Sequence, residues 1–409
     1  MSKILILIGG HLCNAPRPQK EAEALSSAGH DVTVGGIWFD TEFIERDRLL
    51  INNKKWKFIP IVNFQPSHRL TNFLVRGQSR IAQEIFKRFG IFSPPLLGYG
   101  SRAMLKYAYK NEADLTIVHS EVGLWVGSRL LDRGFKVGVD FEDWFSKDLL
   151  PESRLTRPMK QLKDLEKRLI NECKYSITTS HALAKALAEA YDAPRPAAIY
   201  NSFPWSERSQ IDGQIRDRQN LDLTSIHWVS QTIGQGRGLE VLIQALPYIS
   251  KSVEIHLRGN YPESSRQWLE PQIPPEWRDR LFIHSTVPNN ELLSRIAEHD
   301  IGLALEVNDI SSRNLTITNK LFQYLQAGLA VIATSTAGQS EILSQYPEVG
   351  QIIPSNDAIA LAEAINNLLN NPQQLISTKK AALKVAEEKI RWENQKDKFL
   401  MLIQKALSN

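Results

Sequence analysis

Cysteine is nearly missing from this chain: Cys13 and Cys173 are the only two in 409 residues. They stand far apart and without C-x-x-C spacing, which excludes a disulfide framework and a cysteine zinc site and favours a reducing, cytoplasmic setting. Long apolar runs are missing too. The longest near the start, Ile4–Ile8, is strand-sized, whereas a membrane-spanning helix needs about 20 residues. Gly9-Gly10 ends that run and no cleavage-site pattern follows, so no signal peptide is expected. Nor is one sign of charge in excess. With 49 basic and 45 acidic residues the net charge is +4, too balanced for a nucleic-acid partner. Tandem repeats and low-complexity tracts are absent.

What remains is the composition of a soluble globular protein, 42% hydrophobic and 23% charged, with too many residues for one ordinary core. Short β-rich runs alternate with helical patterns. Strands are expected at Lys3–Ile8, Asp31–Val34, Leu115–Val118, Lys136–Asp140 and Tyr175–Thr179, with a helix at Pro18–Ala28 ending at Gly29. The pattern pauses around Ile199–Pro204, and a polar stretch to about Thr224 reads as an interdomain linker. A second series follows at Ile226–Val229, Val253–Leu257, Leu281–Ile283, Ile301–Leu305, Ala330–Ala333 and Gln351–Ile353. Past Asn356 the pattern is helical, Trp392 opening the last segment. Strand–helix alternation predicts an α/β chain of two doubly wound, Rossmann-like parallel-sheet domains, with ligands at the carboxyl ends of the strands facing a central cleft.

Six stretches carry candidate chemistry. Asn319-Lys320 opens an amphipathic helix that Gly328 closes, and the strand Ala330–Ala333 comes at once. A lysine opposes the dipole of a first turn, so an anion such as a nucleotide diphosphate is the expected compensation. The loop Ser230–Gly238 has three glycines, Gly234, Gly236 and Gly238, and places Arg237 to grip phosphate oxygens. It matches neither G-x-G-x-x-G nor a P-loop, which disfavours hydride transfer and ATP hydrolysis. A plain glycine-rich connector is the bland alternative. Asp140, Glu142 and Asp143 follow a strand beside Trp144; crowding raises one carboxyl's pKa and suits a general base, unless the group is a capped, salt-bridged loop. His119-Ser120-Glu121 ends another strand and aims at the same cleft, and Gly9-Gly10-His11 opens its backbone after the first. Finally, Arg69, Arg76, Arg80, Lys87, Arg88, Arg102, Lys106 and Lys110 interleave with Phe73, Leu74, Ile81, Ile85, Phe86 and Phe89. The segment 69–110 is either a candidate membrane-surface contact or a solvated helix face with a core stripe.

With these pieces assembled, the chain resembles a glycosyltransferase of family 4 with the GT-B fold. The resemblance runs nearly end to end, through Gly9-Gly10, the Tyr200-Asn201 linker, the glycine-rich loop and the block Asn319–Thr334. It implies an N-terminal acceptor-side domain at 1–203 and a nucleotide-sugar donor domain at 204–389. The terminal helix, about 390–409, is expected to pack back on the first domain. In the family an arginine and, five residues on, a lysine of the glycine-rich loop hold the donor diphosphate; here these positions are Thr232 and Arg237. A pair of glutamates with seven residues between them corresponds to Leu315 and Gln323, so both carboxylates are gone. Gln323 can still bond ribose hydroxyls, and Glu306 and Lys320 are candidates to take over part of the role. A histidine is common where this chain has Glu142, which leaves inversion and retention both open.

The resemblance therefore implies a glycosyltransferase using a nucleotide-sugar donor and a glycan or lipid-linked acceptor. No cofactor or metal is expected, since no DxD-like acidic cluster lies on the donor side. Donor contacts are assigned to Arg237, Lys320, Asn319, Gln323, Glu306, Thr232 and Gly236, catalysis to Glu142, Asp143 and Asp140, and the acceptor side to Gly9, Gly10 and His119. The expected location is cytoplasmic, at or near the inner membrane face. Two rivals stay open: a sugar-nucleotide 2-epimerase of the same fold, and a nucleotide- or glycan-binding protein without catalysis.

Overall fold

The computed structural model describes residues 1–65, 67, 69–148, 154, 156–249 and 253–408, apart from the side chains of 69–71. The chain divides into two compact units, Met1–Ile199 with Lys396–Asn409, and Tyr200–Gln395.

The first unit is built on seven parallel strands: β1 (Lys3–Leu7), β2 (Asp31–Trp38), β3 (Lys57–Asn63), β4 (Leu115–Val118), β5 (Val137–Phe141), β6 (Tyr175–Thr178) and β7 (Ala197–Ala198), in the order β3-β2-β1-β4-β5-β6-β7. Ile4, Ile6, Val34, Ile117 and Val139 are fully or almost fully buried, as expected where helices cover both faces of a parallel sheet. Two strands were not foreseen. Pro60 interrupts the β3 sequence, and β3 lies at the sheet edge, where a missing N–H forfeits no ladder bond. Strand β7 has only two residues, too few to carry a periodicity.

The second unit holds six parallel strands: β8 (Thr224–Thr232), β9 (Val253–Asn260), β10 (Leu281–His284), β11 (Ile301–Ala304), β12 (Ala330–Thr334) and β13 (Gly350–Ile353), in the order β10-β9-β8-β11-β12-β13. One core gathers Trp228, Leu242, Ile255, Leu303 and Ile365, a second Phe322, Leu325, Val331 and Ile342. The polar stretch read as a linker proves to be part of this unit. Asp217 is 6% exposed and its carboxylate accepts from Arg258, while the Glu298 carboxylate accepts the N–H groups of Arg216 and Asp217 at 2.8 Å each. Polarity misled here because the stretch covers a polar patch of sheet rather than solvent.

The helix Asn319–Ala327 ends as its sequence predicts. Gly328, at φ +83°, takes the left-handed conformation that glycine adopts without strain, and its N–H bonds the carbonyls of Tyr324 and Leu325. The final helix, Trp392–Ser408, starts in the second unit and continues into the first, where Lys136 donates to the Leu407 carbonyl at 2.8 Å. Among the described residues no helix is long and apolar enough to cross a membrane. Strand order reverses between β1 and β4 in one sheet and between β8 and β11 in the other, the switch points where open α/β sheets bind ligands.

Candidate functional site

In the second unit the glycine-rich loop leaves β8 and enters the short helix Leu239–Ala245. Gly238 is required twice over: its φ is +79°, and a Cβ there would lie 2.1 Å from the Leu305 carbonyl oxygen. This contact seats the loop on the carboxyl end of β11. The next residue, Glu306, pairs with Lys320 at 2.6 Å, and the Lys320 ammonium lies 5.4 Å from the Trp228 ring centre. Three predicted donor residues therefore belong to one locality, the loop with Arg237, Glu306 and Lys320, around the Leu305–Glu306 segment. Lys320 finds its anion within the protein, in a carboxylate.

Gly236, at φ +69°, donates to Glu240 at 2.6 Å and accepts from Arg313 at 2.8 Å. Arg313, on the short helix Ser311–Leu315, was not foreseen; nothing in its spacing ties it to the loop. Arg237 itself is exposed. Asn319 accepts from the Asn201 amide, which joins the Tyr200-Asn201 segment to the helix start. Thr232 pairs with Asn260 at the end of the β8–β9 ladder, and Gln323 is half-buried on the second turn of the helix. Beyond β9, a pocket of 510 Å³ is lined by Asn260, Tyr261, Arg266, His284 and Thr286.

The first unit holds a buried ionic network at the β1/β4 switch point. The two ring nitrogens of His119 lie 2.9 Å from a carboxylate each, Nδ1 from Glu142 and Nε2 from Glu21. Arg17 donates to Asp140 through Nε and to the Ile199 carbonyl at 2.5 Å through Nη1. Arg17, Glu21, His119 and Asp140 are all at most 2% exposed. Burial alone would push His119 down, but the Glu21 charge and the bonds from Glu142 and Glu21 outweigh it, so the imidazole titrates well above its ordinary range. Asp140 is raised as well, which for a carboxyl disfavours the charged form: burial, only partly offset by Arg17, lifts it well above the usual value. Of the predicted carboxyl cluster, Asp140 is thus the perturbed member, but a side chain with no exposure touches no substrate and serves to position its neighbours. Glu142, with 31% of its side chain exposed, and the half-buried Asp143 are the accessible ones. Glu121, named in the sequence only as a neighbour of His119, is also perturbed: burial pushes its carboxyl up to about 7 against the pull of Arg157.

Ligand atoms of Glu21, His119 and Asp140 lie within 4.8 Å of one another. Both His119 nitrogens are engaged by carboxylates and Asp140 already accepts from Arg17, so a hydrogen-bonded ionic network suits the group better than a cation. A signal for Arg17 and Glu21 did exist: spaced i, i+4, they extend the buried stripe of Leu25 toward the helix start.

Gly9 admits no side chain, because a Cβ would lie 2.5 Å from the Ser120 hydroxyl, and Ser120 itself starts its helix at φ +65°. His11 fixes this turn. Its Nε2 accepts the N–H groups of Phe39 and Asp40 at 3.0 and 3.1 Å, so Nδ1 carries the hydrogen toward Asp47 at 3.1 Å.

Residues 225–371 match the family model described as glycosyl transferases group 1. Solved structures of the GT-B type align along the whole chain. Sucrose-phosphate synthase from Thermosynechococcus elongatus is 16% identical with a TM-score of 0.72, each chain covered 100%. Anabaena HepE in complex with UDP-glucose is 17% identical with a TM-score of 0.69, covering 99% of this chain and 100% of its own. WaaG, a glycosyltransferase involved in lipopolysaccharide biosynthesis, is 12% identical with a TM-score of 0.63, covering 98% and 99%. No curated protein sequence matches the chain. The second unit thus carries a group 1 glycosyltransferase domain, and the chain has the GT-B fold. The expectation of a glycosyltransferase enzyme is borne out at the level of group 1.

Proposed function

We propose that the chain transfers a sugar from a nucleoside-diphosphate sugar to a hydroxyl of a glycan or lipid-linked acceptor, without a metal. The observation that carries this reading is the gathering of Lys320, Glu306 and the Arg237 loop around one segment at the β8/β11 switch point. Arg237, Lys320 and Arg313 hold the diphosphate, and Asn319 steadies the helix start beside it. These cations stabilise charge on the leaving phosphate, the work a divalent ion does elsewhere. Glu306, Gln323, Thr232 and the backbone at Gly236 complete the donor contacts, with Glu306 and Gln323 bonding sugar hydroxyls. The UDP and UDP-glucose held by HepE support a donor of this class.

The acceptor side is assigned to the first unit, at Gly9, Gly10 and the His119 network. Glu142, or Asp143 beside it, takes the acceptor proton as the glycosidic bond to phosphate breaks and the new one forms. His119 holds Glu142 in place at 2.9 Å, with Asp140 3.9 Å from the same ring nitrogen.

The test is a panel of nucleotide sugars in thermal unfolding, followed by transfer assays with the donor that stabilises. A ligand at a hundred times its Kd adds about 2.7 kcal/mol of stability. UDP-sugars should raise the Tm of the parent and much less that of Lys320→Ala. No stabilisation by any nucleoside diphosphate, or equal stabilisation of both proteins, would remove the donor site. Donor conversion in the absence of any acceptor would favour an epimerase instead.

A further inference from the structure

The helix Arg69–Phe89 uses little of its surface to pack. Val75, Ser79, Ala82 and Phe86 form its covered stripe. Yet Phe73, Leu74, Ile81, Ile85 and Phe89 stand 78, 60, 62, 38 and 70% exposed, and Ile91 just beyond the helix is 58% exposed. The sequence reading that left these side chains to an ordinary core stripe is therefore not met. At about 3.6 residues per turn, Leu74, Ile81 and Ile85 fall on one line, with Phe73 and Phe89 on its two flanks. Arg76, Arg80 and Lys87 share a second line, beside Phe73 and away from the covered stripe. All three are exposed, as is Arg88. Glu84, the helix's single acid, pairs only loosely, 3.7 Å from Lys87 and 3.8 Å from Arg88. On the helix Ser101–Asn111, Arg102, Lys106 and Lys110 add exposed cations at a four-residue spacing.

We propose that the apolar ridge of this helix inserts into the headgroup layer of an anionic lipid bilayer, while its basic line rests on lipid phosphates. The proposal deepens the reading of a lipid-linked acceptor, on which its biological purpose rests. Charge complementarity selects the occupant. A second copy seated face to face would set basic line against basic line with one glutamate apiece to offset them. A neutral apolar partner would leave the cations without a role. A surface of acyl chains under phosphates matches both lines at once, the binding mode of a helix that lies in the membrane plane.

The experiment is cosedimentation of the full chain with vesicles of phosphatidylcholine, with and without phosphatidylglycerol. Binding should need the anionic lipid. Each cation near such a surface adds roughly fivefold, so Arg80→Ala/Lys87→Ala should weaken binding by about 25-fold. Phe73→Ala/Ile81→Ala/Phe89→Ala should weaken it on the order of a hundredfold, because buried rings and chains are lost. All five positions are exposed, so Tm should stay at the parent value. A polarity-sensitive dye on Ile81→Cys should shift to the blue on vesicles, and the same dye on Gln83→Cys, facing another side, should not; the parent chain is the labelling control.

Equal binding to neutral vesicles, no binding at all, or the same shift at both dye positions overturns the proposal. So does self-association that the triple alanine variant abolishes, which would assign the ridge to a second copy. Stabilisation by nucleotide sugar, measured without vesicles, reports on the donor site alone and keeps the two failures apart.

Discussion

The ammonium of Lys320 lies 2.6 Å from the carboxylate of Glu306, with the two side chains only 11 and 10% exposed. Lys320 is thus already drawn out of water and aimed at the carboxyl end of β11 before a ligand arrives. If the proposed donor site is right, a diphosphate entering beside the glycine-rich loop would meet a preset cation, and little ordering would remain to be done on binding. Lys320→Ala is expected to raise donor KM or lower kcat by about tenfold or more, the loss of one charged contact, and Arg237→Ala to do likewise. Glu306→Ala has a different signature. It strands a largely buried ammonium and should lower stability by about 1–3 kcal/mol. Steady-state kinetics and denaturant unfolding separate the two effects. Unchanged kinetics for both cation variants would end this assignment.

The glycine-rich loop offers a contrast between two of its own positions. Gly238 and Gly236 are both left-handed, at φ +79° and +69°, but a Cβ on Gly238 meets the Leu305 carbonyl whereas one on Gly236 meets nothing within 4 Å. Gly236→Ala should cost only the left-handed penalty, about 1–2 kcal/mol. Gly238→Ala must push the loop off β11 as well, so it should lose donor binding altogether. Isothermal titration with a nucleoside diphosphate measures this, and equal affinities in the two variants would count against the loop's seating on β11.

Strand positions, and the nearness of Lys320 to the glycine-rich loop, were legible because they rest on local signals: apolar runs, glycines, and a cation at a helix start. All six strands of the second unit were found this way. Strand β3 escaped because Pro60 masks it, and the 204–224 stretch because polar residues such as Asp217 were credited to solvent. Arg17, Glu21 and Arg313 escaped for another reason. Each makes its decisive contact with a residue distant in sequence, Arg17 with Asp140 and Arg313 with Gly236; the i, i+4 spacing of Arg17 and Glu21 marks them as buried but does not encode their partners. The ridge on Arg69–Phe89 was visible as composition; only the packing decides that Ile81 faces outward.

Glu142→Gln keeps an acceptor for His119 and removes only the base. Turnover should fall by about 10²–10⁴-fold with donor binding nearly unchanged. Transfer at the parent rate would remove Glu142 from the mechanism. His119 gives an independent check. Its pKa is raised in the folded state, so its stabilisation is fully present below the unfolded value of about 6.5. That stabilisation is lost as pH rises through the folded value. Removing this buried cation from between its carboxylates should cost about 3–5 kcal/mol. The gap between parent and His119→Gln should be widest in mild acid and narrow toward alkaline pH in urea unfolding. A gap that widened with pH would contradict the charged imidazole.

The second unit carries the opposite arrangement. His227 stacks on His299 at 4.5 Å, His299 lies 4.6 Å from His256, and His256 stacks on His284 at 5.3 Å, four imidazoles in series over β8, β9 and β10. Asp217, Glu254, Arg258 and Arg218 surround them, Arg258 being bonded to Asp217. Burial and mutual repulsion hold all four down; His256 falls to about 3, and His227 lies well below the ordinary value. The unfolded chain therefore binds protons from about pH 6.5 downward while the folded unit does not. Stability present above pH 6.5 should fall through mild acid, by about 1.4 kcal/mol per pH unit for each proton taken up. His227 is the informative position. Neither ring nitrogen has a partner and the side chain is wholly buried, so it bears a desolvation cost of about 1–3 kcal/mol without a compensating bond. His227→Leu, close in volume, should raise Tm at neutral pH and make the acid slope shallower by nearly one proton. Calorimetry between pH 7 and 5 decides it, and an unchanged slope in the variant would mean that His227 is not a member of the neutral series.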